Sequence, residues 1–439
     1  MNDAILELTR RGGGPVHVNY ITSFPPRRQY SDKLLDVKKL ARYTVYDLEG
    51  VRLPTGKIAI FVGSHKPFSE RETAAIDAFC GSHDAVVFCD HTSNYKGSYR
   101  VLYPLLATQD IDDSNLKPDL LIHIGEISGD YYTTGKLKAA KQVWRVSEDG
   151  EVRDYFLKLS AVFEMSEELF FDYFSSHENN EKTSYLASCL TNIEGVSFEN
   201  VEVPFSNIWV ASKLSKVLPS HSVLHLAILN SLRAWNFFDI DKTIEVYSNV
   251  GGFGIDGGLS TLIGASFVNP DKIYFGVLGD LAFFYDMNSL GNRDVRNNVR
   301  ILLINNGKGT EFRNYTHTAS SLGDDADEFV AAARHYGNKS ETLVMHYAED
   351  LGYEYIRAHN KDEFLSAYER FVTPELTAKP MIFEVFTDST NESDALRVVK
   401  TMVHDTSSYK NKIVSNIKHE MRSFLGDSKL KVIKKFLKK

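Results

Sequence analysis

Between residues 249 and 312 the chain places a glycine-rich run, Gly251-Gly252-Phe253-Gly254-Ile255-Asp256-Gly257-Gly258, ahead of two apolar segments, 273–278 and 300–304. The first apolar segment ends in Gly279-Asp280 and the second in Asn305-Asn306-Gly307. Short apolar runs bounded by turn residues read as strands buried on both faces, and the stretch between these two is long enough for a crossover helix. The segment therefore predicts a parallel α/β sheet. Two of its strands would deliver an oxygen-bearing side chain at their carboxyl ends, the edge at which open α/β sheets hold phosphorylated ligands and their metals.

Those oxygens suit a hydrated hard cation that holds a diphosphate. Magnesium takes near-octahedral oxygen ligation and usually accepts one carboxylate and a few neutral oxygens from protein. Asp280 offers the charge, Asn306 a side-chain carbonyl, and a backbone carbonyl near Lys308 a third oxygen. Leu281 and Ala282 open a helix whose free N–H groups would face the diphosphate. On spacing alone, a loop aspartate and an Asn-Asn turn fit the same residues equally well. The glycine run also spells G-x-G-x-x-G, from Gly252 to Gly257, after a strand-like stretch at 244–247. A dinucleotide fold would need an acid at the end of the next strand. Asp271 precedes that strand, and Asp280 with Asn305-Asn306 downstream fits a metal better, so NAD ranks second.

Gly279-Asp280, followed after a helix and a strand by Asn305-Asn306, resembles the diphosphate-binding motif of thiamine-diphosphate enzymes. More narrowly, the blocks 248–261 and 279–290 are similar to the MenD branch of that superfamily, the succinyl-enolpyruvyl-hydroxycyclohexene-carboxylate synthases of menaquinone biosynthesis. The resemblance implies that Asp280 and Asn306 hold magnesium, or manganese in its place, through their side chains, and Lys308 through its carbonyl. The family has glycine at the position of Lys308, which a backbone ligand does not need. Gly254 and Asp256 would border thiamine diphosphate, with Asn230, Leu281, Ala282 and Gly309 around it. Ile255 resembles the aliphatic residue that props the cofactor in its bent form, so that its 4′-amino group can take the C2 proton. Ser231, in Asn230-Ser231-Leu232, would lie against substrate, and Phe312 on the active-site wall. Read without the family, Ser231 is a helix cap and Phe312 a core filler.

Two departures bear on the substrate. The family carries arginines at the positions of Trp235 and Val250, where they look like clamps for carboxylates. A guanidinium is the usual bidentate partner of a carboxylate, and neither Trp nor Val replaces it. Arg233 lies two residues from Trp235 but is not expected to compensate.

Near the N-terminus, Gly14-Pro15-Val16-His17-Val18-Asn19 reads as a turn into a strand and resembles the close of the family's pyrimidine-binding domain. The match runs from about residue 11 to Asp388, so that preceding domain is expected to be missing, along with the glutamate that activates the cofactor ring. A separate polypeptide would supply it. After a short helix at 4–8, residues 1–55 are expected to form this remnant and a linker over 19–53. Residues 56–180 are expected to form a scaffold α/β domain, with strands at 57–62, 85–89, 120–124 and 142–146, a helix capped by Ser69, and another helix over 156–176. A polar break covers 178–182, and a diphosphate-binding α/β domain 200–400. That domain opens with a helix at 207–218 and a strand at 221–229, and closes with a helix over 341–356 and a strand at 381–387. The fold class is therefore two doubly wound parallel-sheet domains. Residues 405–439 form a basic amphipathic tail, read as solvated or docking within an oligomer rather than bound to membrane. Asp324, Asp325, Asp327 and Glu328 read as a solvated helix start, and His317 and His335 as surface residues.

Composition removes several other classes. A net charge of −8 over 439 residues gives no general pull toward nucleic acid. The three cysteines have no metal-ligand spacing and make no paired set, so a reducing cytoplasm is expected. No apolar run approaches a membrane span. The expectation is a subunit that decarboxylates a 2-oxo acid and transfers the acyl-anion equivalent to an acceptor, as a homo-oligomer, with a pyrimidine-domain partner, or both. The alternatives are a catalytically silent scaffold and a simple 2-oxo acid decarboxylase subunit.

Overall fold

The computed structural model describes residues 2–19, 39–111, 113–175, 184–199, 201–252 and 254–403. The apolar runs become the strands of two sheets in which every pairing is parallel. The first sheet has seven strands, β1 (Ala41–Thr44), β2 (Ile58–Val62), β3 (Val86–Cys89), β4 (Arg100–Leu102), β5 (Leu120–Ile124), β6 (Gln142–Ser147) and β7 (Leu159–Glu164). Their spatial order is β1-β7-β6-β5-β2-β3-β4. The second has six, β8 (Val223–Leu226), β9 (Glu245–Ser248), β10 (Tyr274–Gly279), β11 (Val299–Asn305), β12 (Glu354–Ala358) and β13 (Met381–Phe386), in the order β12-β13-β11-β10-β8-β9. Both are doubly wound α/β sheets, as expected.

Strand content explains the layering. β2, β3, β5, β8 and β11 are buried at every position, the pattern of strands covered by helices on both faces. One face of each sheet joins a shared core in which Phe61 and Phe88 of the first sheet belong with Trp209, Leu226 and Trp235 of the second. The opposite faces pack separately, around Phe163 and Phe170 in the first sheet and around Leu262 and Leu303 in the second. The sheets are also joined by directional bonds. The Asn94 side chain accepts from Val246 N and donates to Val246 O, both at 2.9 Å, so it stands where a neighbouring strand would. Asn236 Oδ1 accepts from His91 N at 3.2 Å, and Arg100 pairs with Asp239 at 3.1 Å.

Helix Glu70–His83 begins where expected, with a reciprocal capping box in which Ser69 Oγ accepts from Glu72 N and the Glu72 carboxylate accepts from Ser69 N. Other expectations are corrected. The stretch 156–176 is not one helix: Leu159–Glu164 is β7, and only Glu167–Ser175 is helical. Short apolar runs do not separate strand from helix by periodicity, and here burial between the faces of the sheet selects the strand. Within the expected linker, residues 41–44 form β1 and pair with β7. Residues 13–19 form no strand. The expected closing helix is Leu343–Asp350 followed by β12, and a further helix, Lys361–Phe371, is capped by Asn360. The opening helix of the second sheet ends at Leu214, and the strand after it is Val223–Leu226. The charged break at 178–182 and the tail 405–439 lie outside the described residues. No described helix is long and apolar enough to cross a membrane.

Candidate active site

In the second sheet the chain runs from β8 out to the edge strand β9, then crosses back to lay β10 on the other side of β8. Loops that leave adjacent strands in opposite directions open a crevice beyond the carboxyl ends, the place where such sheets bind ligands. The sequence-predicted residues gather at this edge. Asn230 and Ser231 follow β8, 254–256 follow β9, 280–282 follow β10, and 306–309 follow β11.

Asp280 begins helix Asp280–Asp286 directly after β10 and is 2 % exposed. Its Oδ1 accepts from its neighbour Leu281 N at 2.9 Å, and its Oδ2 accepts from Gly307 N at 2.8 Å. That second bond draws the ends of β10 and β11 together and sets Asn306 next to Asp280. Gly307 makes this approach with φ of +79°, and a Cβ there would stand 2.5 Å from Asn338 Nδ2, so a side chain would meet both strain and collision.

Asn305 and Asn306 divide the work by strand alternation. Asn305 turns into the sheet, donating at 2.7 Å to buried Glu384, which also accepts from Tyr355 OH. Burial pushes the Glu384 carboxyl above its ordinary range. Asn306 Oδ1 is buried and has no hydrogen-bond partner among the described residues. A buried amide oxygen without a donor costs about 1–3 kcal/mol, and a cation beside Asp280 would satisfy it. Among the described residues no three His, Cys, Asp or Glu side chains cluster to hold a metal. An ion here would thus take one carboxylate, one amide oxygen and backbone or ligand oxygens, a donor set that suits a hard divalent cation. The Lys308 carbonyl, two residues beyond Asn306, accepts from Thr310 Oγ1 at 3.3 Å, while its ammonium is engaged by Asp327 at 2.6 Å.

The glycine run brings Asp256 back over Gly254, where a Cβ would stand 2.1 Å from Asp256 Oδ1. Ile255 is partly buried and packs against both the shared core and the outer core of this sheet. Ser231 is the second residue of helix Asn230–Asn236 and 3 % exposed; the N-cap is Leu229, so Ser231 is not the cap that a family-blind reading makes it. Leu229 itself sits at φ +65°, a strained conformation for a branched residue, directly at the crevice. Phe312 is half-buried, packs edge-on against His317 with centroids 5.3 Å apart, and lies beside Gly309.

Three features were missed from the sequence. His335, read as a surface residue, places Nε2 3.2 Å from Asp280 Oδ2. Asp327, read as part of a solvated helix start, is half-buried between Lys308 and Arg313. Arg233 is held by Glu311 through two bonds, at 2.8 and 3.0 Å, and also donates to Asn230 Oδ1. Burial alone would raise the Glu311 carboxyl, but the charge and hydrogen bonds of Arg233 hold it below its ordinary value. The sequence carries no local signal for this pair, because 78 residues separate the partners. Trp235 and Val250 are both buried, and each belongs to the shared core. Arg233 is thus paired with Glu311.

No protein-family model matches the sequence. Among curated proteins, the chain is 30 % identical over 428 residues to a 2-succinyl-5-enolpyruvyl-6-hydroxy-3-cyclohexene-1-carboxylate synthase of Bacteroides thetaiotaomicron, covering 92 % of this chain and 72 % of the relative. The protein of the same name from Phocaeicola vulgatus is 30 % identical over 90 % of this chain and 72 % of its own length. That of Cytophaga hutchinsonii is 26 % identical over 92 % of this chain and 74 % of its own length. At this identity and coverage, the chain belongs to the 2-succinyl-5-enolpyruvyl-6-hydroxy-3-cyclohexene-1-carboxylate synthase family.

Proposed function

We propose that the chain is a transferase subunit that binds thiamine diphosphate through a divalent cation, magnesium or manganese, decarboxylates a 2-oxo acid and passes the acyl-anion equivalent to an acceptor. The buried, partnerless oxygen of Asn306 beside Asp280, on adjacent parallel strands, carries this reading. The relatives are named as synthases of a substituted cyclohexene carboxylate, which supports a synthase reading over hydride transfer. When bound, the cofactor supplies the carbanion chemistry, and the protein supplies shape and electrostatics.

The chain's own residues would act as follows. Asp280 and Asn306, with the Lys308 carbonyl, hold the metal, and Asp280 is oriented for this by the N–H groups of Leu281 and Gly307. Gly254, Asp256 and Ile255 form the base under the cofactor, fixed by the packing of Ile255 against two cores. Asn230, Leu281, Ala282 and Gly309 border it. Ser231 faces substrate, and Phe312 walls the site. In this reading residues 56–180 are scaffold and 200–400 the diphosphate-binding domain. A pyrimidine-domain polypeptide is the candidate source of the glutamate that activates the cofactor ring, and would complete a split site with this chain. Three buried free thiols suit a reducing compartment such as the cytoplasm.

A second reading, a non-catalytic scaffold, draws on one observation: Trp235 and Val250 are buried in the core and Arg233 is locked to Glu311, which leaves no arginine at those positions for a substrate carboxylate. Carbon dioxide release from a panel of 2-oxo acids, with the chain alone and mixed with a pyrimidine-domain polypeptide, separates the readings. Turnover only in the mixture is expected. Full turnover by the chain alone would refute the split site, and cofactor binding without turnover in either sample would favour the scaffold.

A further inference from the structure

The first sheet has its own reversal. From β2 the chain winds outward through β3 and β4, then returns to lay β5, β6 and β7 on the other side. The loops after β2 and β5 start from a backbone contact, with Gly63 N donating to Ile124 O at 3.0 Å and Glu126 N to Ser64 O at 2.8 Å. A Cβ on Gly63 would stand 1.8 Å from Glu126 O, so the approach requires glycine. Beyond them opens a crevice of about 520 Å³, closed on one side by β9 of the other sheet. That is within the size range of small-molecule sites, roughly 300–1,000 Å³. None of the residues assigned to the metal or cofactor lines it.

Two buried polar atoms on its walls have no hydrogen-bond partner among the described residues. Arg145 is 1 % exposed; its Nη1 donates to Gly125 O and its Nη2 lies 3.9 Å from the Glu126 carboxylate, while its Nε has no acceptor among the described residues. Ser248 Oγ, on β9, is buried and likewise unbonded. The rim is acidic. Glu72 is paired with Lys66 at 3.0 Å and Glu167 with His65 at 3.4 Å, whereas the Glu148 carboxylate makes no hydrogen bond or ion pair among the described residues. Carboxylates outnumber cationic side chains around the opening, which disfavours a polyphosphate. A purely cationic ligand would leave the Arg145 and Ser248 donors unmet, at the cost that attaches to any buried unsatisfied donor. A ligand with an acceptor at one end and a cation at the other satisfies both.

We propose that this crevice binds a small zwitterion of the amino-acid class, its carboxylate received by Arg145 and Ser248 and its ammonium directed to Glu148. Ser248 ends β9 at the carboxyl edge of the second sheet, but the proposal does not need the metal or cofactor residues of that edge to be active. The test is thermal unfolding and calorimetry of the full chain with each of the common amino acids, with ADP and with spermidine, at about 10 mM, since a ligand that binds the native state alone raises its stability. At least one amino acid is expected to raise the unfolding temperature, and its affinity is expected to fall about tenfold or more in Ser248→Ala and in the exposed-site variant Glu148→Gln. Stabilisation by ADP or spermidine without any by an amino acid would overturn the proposal. So would no stabilisation by any probe, or amino-acid binding that is unchanged in both variants.

Discussion

Arg233→Met tests the buried pair at the mouth of the candidate site. Arg233 and Glu311 have side chains only 12 % and 19 % exposed, and their two hydrogen bonds span 2.8 and 3.0 Å. Removing the guanidinium leaves a buried carboxylate that keeps only the Asn314 amide as a hydrogen-bond donor, at 3.1 Å, and breaking a buried pair in this way typically costs about 3–5 kcal/mol. Arg233 also gives up its bond to Asn230 and its place 5.5 Å over the Tyr132 ring, so the larger end of that range applies at neutral pH. Replacing both partners, Arg233→Met with Glu311→Leu, removes the stranded charge and is expected to recover most of the loss. The pH dependence has a definite sign. In the native protein Glu311 is held below its ordinary value, so its contribution is present above the unfolded carboxylate range and lost as pH falls. In Arg233→Met the same carboxyl is buried without its cation and its pKa moves up, so the deficit should shrink as pH falls toward about 4. Urea unfolding of the four proteins at two pH values gives the full cycle. A cost under about 1 kcal/mol for Arg233→Met with no coupling between the sites would refute the reasoning, and would return Arg233 to the candidates for binding a substrate carboxylate.

Two further outcomes are expected. His335→Ala removes the donor that sits 3.2 Å from Asp280 Oδ2, so manganese titration in the presence of thiamine diphosphate should show tighter metal binding; weaker binding would mean that His335 orients Asp280 for the metal. Burial, with the nearby Asp90, raises the Asp130 carboxyl to about 7, so the native state holds a proton that the unfolded chain releases, and stability should fall as pH rises from about 4 to 7. Asp130→Asn, which keeps a capping oxygen for helix Tyr131–Leu137, should flatten that fall without abolishing it, because buried Glu392 is also raised to about 7. A pH profile identical to that of the parent protein would contradict the assignment.

Much of the architecture was legible because its strands are uniform. Ile58–Val62 is apolar throughout and Leu120–Ile124 apolar but for His123, and both are bounded by turn residues, which leaves few choices. Ser69 and Glu72 announced a helix start by their spacing alone. Leu159–Glu164 did not announce a strand, since it runs directly toward a phenylalanine-rich helix and only pairing with β6 and β1 fixes its conformation. At the site, Asp280 and Asn306 were legible as strand ends. The roles of His335, Glu311 and Asp327 were not, because each is defined by a partner 19 to 78 residues away, brought close by loops that carry no periodic signal. Trp235 and Val250 could be singled out only by comparison with a family, and the structure adds that both are packed into the core between the sheets.

Equilibrium binding of thiamine diphosphate to the full chain, with and without magnesium, is the most direct test of the metal bridge between Asp280 and Asn306. Binding should require the cation, weaken by roughly tenfold or more in Asn306→Ala, and be lost in Asp280→Asn while both variants keep the parent's unfolding temperature within a few degrees. Cofactor binding that is indifferent to magnesium, or equal in all three proteins, would contradict the account.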